Sequence, residues 1–191
     1  MSGSGYNDDC DGWALIRWRG AVASAIRGRR GQAFLRDLLA ALDAMPDKRL
    51  VADALVFDGQ TETAWSPWHL YEDVIVGADE LVKGTGEVVR VGEVCALGCL
   101  GRARLIDMSD IDPHDPSQVS AAFGISEALA REITYVNDED WYGRNTPETR
   151  FERVRAWVVN NLRKEDPPQA QRPDEEPRKG DERDQQVAPG A

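Results

Sequence analysis

Long apolar runs are missing from this chain. No stretch of the 191 residues reaches the roughly 18 apolar positions that a membrane-spanning helix requires. Cysteine is scarce and odd in number, at Cys10, Cys95 and Cys99. This argues against a disulfide framework and leads to the expectation of reduced thiols in a cytoplasm. The first residues are polar and acidic, without the basic start and apolar stretch of a secretory leader. Histidine occurs twice, at His69 and His114, so a histidine-centred acid–base or metal site would have to be assembled from distant segments. Positive charge is also short, with 23 Lys and Arg against 34 Asp and Glu and a net charge of −11. A polyanion such as DNA is repelled by such a chain unless the basic groups gather on one face.

What is present is helical periodicity. Leu15, Trp18, Val22 and Ile26 recur at spacings of three and four; after a break at Arg27–Gly31, Phe34, Leu38, Leu42 and Met45 do the same, with Leu35 and Leu39 widening the stripe. Two such stripes predict a helical hairpin packed into a shared core. Residues 1–50 hold eight Lys and Arg against six Asp and Glu, a net +2, which leaves −13 for the remainder. Arg17, Arg27, Arg29 and Arg30 surround the hairpin corner and are the leading candidate interaction residues, able to bind carboxylate or phosphate. A solvated helix corner is the plainer reading of the same residues.

Asn7-x-Asp9-x-Asp11-Gly12 imitates the opening of a calcium loop, but Trp18 stands where the bidentate glutamate belongs, so Asp8, Asp9 and Asp11 are expected to cap the first helix. Leu50–Phe57 reads as a short strand or a last helical segment. Trp65, Trp68 and Tyr71 form either a satellite core or, if exposed, a second set of interface anchors. Val74–Val76 and Val88–Val94 are β-branched runs, separated by Gly77 through Gly86, and predict a small antiparallel sheet. Cys95 and Cys99 form a CxxxC, not the CxxC of zinc knuckles; with Cys10, His69 or His114 they could complete four ligands, yet buried thiols explain them more simply.

Asp107–Pro116 is a loop rich in aspartate, with Asp110, Asp112, His114 and Asp115 read as caps and solvated groups rather than ligands. Val119–Ile133 carries the spacing of a helix–turn–helix around Gly124, but Glu127, Glu132 and Asp138–Asp140 would face the phosphates, which disfavours DNA as its ligand. Thr146-Pro147 opens a final helix with Phe151, Val154, Val158 and Leu162 on one face. From residue 164 periodicity stops, and proline, charge and glutamine predict a disordered acidic tail.

Ser4–Asp11, Trp13–Val22 and Arg29–Leu35, together with Gly92–Gly98, Gly101–Arg104 and Ala128–Ile133, resemble a family of small uncharacterised bacteriophage and prophage proteins. The resemblance extends over most of residues 4–163, leaving out about 60–90 and the tail, and it implies a phage accessory protein without supplying catalytic residues. The expectation is therefore a mainly α (α+β) helix-rich domain over 7–163 with a small antiparallel β element, and a tail over 164–191. Its expected role is a non-enzymatic modulator in the cytoplasm of a bacterial host, without cofactor or metal, binding a host or phage protein. A nucleic-acid-binding regulator is the second reading and a small metal-dependent enzyme the third.

Overall fold

In a computed structural model of the chain, residues 12–59, 74–75, 80–82, 88–138 and 146–163 are described. The two predicted stripes form α1 (Gly12–Arg27) and α2 (Arg29–Ala44), separated by Gly28 alone. Val22 and Ile26 of α1 are buried, with Trp18 packed beside them; α2 buries Phe34, Leu35, Leu38, Ala41 and Leu42. Three short strands, β1 (Val74–Ile75), β2 (Glu80–Val82) and β3 (Val88–Arg90), form an antiparallel sheet in that order, pairing Val74 with Val82 and Glu80 with Arg90. Then follow α3 (Ala96–Ala103), α4 (Pro116–Phe123), α5 (Glu127–Asp138) and α6 (Pro147–Asn161). The result is a mainly helical domain with a small β element. Its core gathers side chains from all six helices, from β3 and from the segment 50–57.

Helix α3 lies at the centre, against α2 and α5, with Ala96 through Gly101 all buried. The glycines make this approach possible. A Cβ at Gly98 would collide with the Leu55 carbonyl oxygen, and one at Gly101 with the Met108 sulfur. The first amide of α3, on Ala96, donates to Asn137 Oδ1 at 3.1 Å, while Asn137 Nδ2 donates to the Val51 carbonyl at 2.8 Å. One amide side chain thus joins α3, α5 and segment 50–57, satisfying buried backbone groups that water cannot reach.

The helix ends follow the sequence signals. Asp115 accepts from Ser117 and Gln118 ahead of Pro116, Gly124 closes α4 at φ 66°, and Thr146 with Thr149 forms a capping box on α6. The last turn of α5 is completed from outside: Arg153 donates to the carbonyls of Val136 and Asn137, and the buried Arg150 to those of Asn137 and Leu50. Arg49 pairs with Glu93 at 2.6 Å and with Glu148, fastening the segment after α2 to the β3 turn and to α6.

Three expectations are corrected. Segment 50–57 is neither helix nor regular strand. It runs beside 92–95, with Val51 N donating to Val94 O and Phe57 N to Glu93 O, but makes a single bridge, Val56 to Val94. Asp53, at φ 65°, turns the chain out of the extended path between them. The Val88–Val94 run splits, because Gly92 at φ 87° makes a turn after Arg90, and Glu80–Val82, inside the expected separator, supplies the middle strand. Glu132 is not on an outward face. It is 1% exposed, neither carboxylate oxygen has a hydrogen-bond partner among the described residues, and burial raises its pKa. Residues 7–11, the aromatic group Trp65, Trp68 and Tyr71, His69, Cys10 and the tail from 164 lie outside the described residues.

Candidate functional site: the outward face of the first helix and its arginine corner

The inward stripe of α1 leaves its other side open. Positions 13, 16, 17, 20, 24 and 27 follow one another at helical spacing, opposite Val22, and every one of them is exposed. Two are large apolar residues, Trp13 at 74% and Ile16 at 60% exposure. Arg17 follows Ile16 and Arg27 stands at the far end of the same face, and a Cβ at Gly20 would meet nothing within 4 Å, so the middle of the face is open. At its end α1 meets the N-terminus of α2, where Arg29 and Arg30 are also exposed. From Gly12 to Arg36 there are six arginines and no carboxylate, in a chain whose net charge is −11. None of the six forms a salt bridge among the described residues, whereas Arg49, Arg104 and Arg155 each hold a carboxylate at 2.6 Å.

The predicted arginines Arg17, Arg27, Arg29 and Arg30 are thus brought to one helix face and its corner. Sequence reasoning passed over Trp13 and Ile16. The available signal was their phase: each lies one or two residues off the Leu15–Trp18–Val22–Ile26 stripe, which puts it outside the buried arc.

Gln32 roots the corner. Buried on the first turns of α2, its Nε2 donates to Ile26 O at 2.8 Å and Asn161 O at 3.0 Å, while its Oε1 accepts from Arg163 N at 2.8 Å. The end of α1 and the exit of α6 are therefore tied to one side chain, three positions from Arg29.

A second place with perturbed groups is a small notch beside the N-terminus of α3, lined in part by Asp53, Leu55, Cys95, His114 and Asp138. Burial, reinforced by the charge of Asp53, pushes Asp138 up to about 6; the Asn137 amide and the Asp53 N–H oppose this. The Cys95 thiol, which caps α3 by accepting from Gly98 N at 3.3 Å, is pushed by burial to about 12, and Cys99 to about 11. Thiols held protonated at neutral pH are poor nucleophiles. The notch has room for about one water molecule, which is too little for a substrate. Among the described residues no three of His, Cys, Asp and Glu converge as a metal-binding group. Three of the four aspartates in the 107–115 loop are spent on backbone: Asp107 accepts from Ser109, Asp112 from His114, and Asp115 from Ser117 and Gln118.

The helix pair read as a helix–turn–helix is formed by α4 and α5, with Val119, Phe123, Ala130 and Ile133 buried between them and the core. In the first turns of α5, Glu127 pairs with Arg131 at 3.8 Å, and the Arg131 guanidinium lies over the Trp18 ring, leaving little net positive charge for a phosphate backbone. No described helix is long and apolar enough to cross a membrane. Neither the family models, nor the curated proteins, nor the solved structures contain a significant match to this chain.

Proposed function

We propose that this chain is a protein-binding module that docks an acidic partner segment on the outward face of α1. The observation that carries the reading is the coincidence, on one helix, of Trp13 and Ile16 in the open with arginines that no described carboxylate neutralises. Exposed tryptophan and arginine are the residue types that dominate binding energy at protein interfaces. The partner that fits is a helix or extended segment with an apolar anchor for Trp13 and Ile16 and carboxylates further along it for Arg17 and Arg27. In such pairs guanidinium and carboxylate engage through two parallel hydrogen bonds. The resemblance to small uncharacterised phage and prophage proteins agrees with a modulator of a host or phage protein.

Nucleic acid is the competing class. The bulk charge of −11 opposes a long polyanion more than a short acidic segment. A synthetic amphipathic helix of glutamate and leucine, labelled for anisotropy, tests both readings beside a duplex DNA at about 0.15 M salt. The peptide should bind. Trp13→Ala should weaken it about thirtyfold, equivalent to roughly 2 kcal/mol, and Arg17→Glu with Arg27→Glu should weaken it at least as much. Both variants should melt within a few degrees of the parent. DNA bound more tightly than the peptide would overturn the reading in favour of a nucleic-acid regulator.

A further inference from the structure

The chain's exit from the fold lies at the corner where α1 ends, and this juxtaposition has a regulatory meaning. Gln32 holds Asn161 and Arg163 against the start of α2, so the segment beyond Arg163 leaves the domain at the α1–α2 corner. Residues 164–191 contain eight Asp and Glu against five Lys and Arg. Glu165 and Asp166 come two and three residues after the clamp, within about 10 Å of chain. Asp174, Glu175 and Glu176 follow as an uninterrupted acidic triplet between Pro173 and Pro177, with Arg172 on one side and Arg178 and Lys179 on the other. Eleven residues from Arg163 span up to about 36 Å, which exceeds the roughly 24 Å length of the sixteen-residue α1. The triplet can therefore reach any point on the outward face, including Arg17 and Trp13.

We propose that the acidic segment 164–191 is a built-in competitor for the α1 face: it occupies the arginines in the absence of a partner and is displaced by a partner of the same chemistry with an added apolar anchor. The proposal rests on the docking reading above. Its physical basis is charge complementarity and tethering. A segment rooted beside its site is present at millimolar effective concentration, so weak ionic contacts suffice to occupy the site and to set a threshold for competitors. The segment lacks a large apolar residue near the triplet, so nothing of its own matches Trp13 and Ile16. A partner supplying that contact wins, whereas one supplying charge alone does not.

The test uses the full chain and the labelled glutamate–leucine helix. Asp174→Asn, Glu175→Gln and Glu176→Gln together form the tail variant. The control is Asp47→Asn, Asp110→Asn and Glu152→Gln, three exposed carboxylates on the body of the domain, which changes net charge by the same amount. At about 20 mM salt the tail variant should bind the peptide about fivefold more tightly than the parent and the control less than twofold, with the difference gone at about 0.5 M salt. Equal gains in the two variants would overturn the competitor, while loss of binding on Trp13→Ala in the same series would leave the docking face intact. Failure of every protein to bind the peptide would overturn the docking reading and this inference with it.

Discussion

Helices α1 and α3 are opposites. α1 has sixteen residues and buries two, Val22 and Ile26; α3 has eight and buries six. α3 contributes to the fold with nearly every position, and its composition of Ala, Leu, Gly and Cys is what close approach on several sides demands. α1 is held by one stripe and carries on its other side a tryptophan, an isoleucine and arginines that do nothing for the core. The difference separates residues chosen by packing from residues that packing leaves unexplained, and only the second kind is informative about a partner.

Substitutions should divide along the same line. The largest effect belongs to Gly98→Ala, since its added methyl has to displace the Leu55 carbonyl; a loss of about 3 kcal/mol or more is expected from urea unfolding. A change under about 1 kcal/mol would mean that α3 can shift, and the contrast with α1 would weaken. The next effect concerns Asp138, beside the entrance of α3. Its folded pKa of about 6 lies above the ordinary 3.8, so the folded state binds the proton more tightly than the unfolded chain. Its contribution is fully present below pH 3.8 and is lost as pH rises through about 6. Asp138→Asn should therefore be more stable than the parent at pH 7 by about 2 kcal/mol, with the gap closing towards pH 4. Asp43, Asp107, Asp115 and Glu148, whose pKa values are lowered, slope the other way, but they cancel in the difference between the two proteins. A pH-independent gap would assign the effect to something other than the proton. The smallest effect is expected on α1. Trp13→Ala with Ile16→Ala should change stability by no more than about 0.5 kcal/mol, because neither side chain is in the core. A larger loss would show that the face is structural.

Much of the helical frame was legible in the sequence because its signals are local. The 3.6-residue stripes gave α1 and α2, Asp115-Pro116 and Gly124 bracketed α4, and Thr146-Pro147 opened α6. What the sequence hid depends on contacts across the chain. Glu132 reads as a surface carboxylate, yet on α5 it falls in the arc shared with Leu129 and Tyr135 and is buried. Segment 50–57 has strand composition, but its path follows from Asp53 and from hydrogen bonds to residues 93–95. Of the candidate site, the arginines were legible as a charge cluster. Trp13 and Ile16 were not, since an apolar residue next to an apolar stripe looks like part of it until the helix phase is counted.

The side chain of Asn137 has a kinetic consequence. Its bond to Val51 joins residues 86 apart, and Ala96, 41 residues away, bonds the same amide. Closing a loop of that length is entropically unfavourable before other contacts compensate, so these bonds belong to the later part of folding. The carbonyls at the end of α5 likewise wait for Arg150 and Arg153 of α6. The α1–α2 hairpin, by contrast, is built from neighbours in sequence. In a folding experiment α1 should acquire its protected amides with α2 early, and the final turn of α5 only when the three distant segments have met.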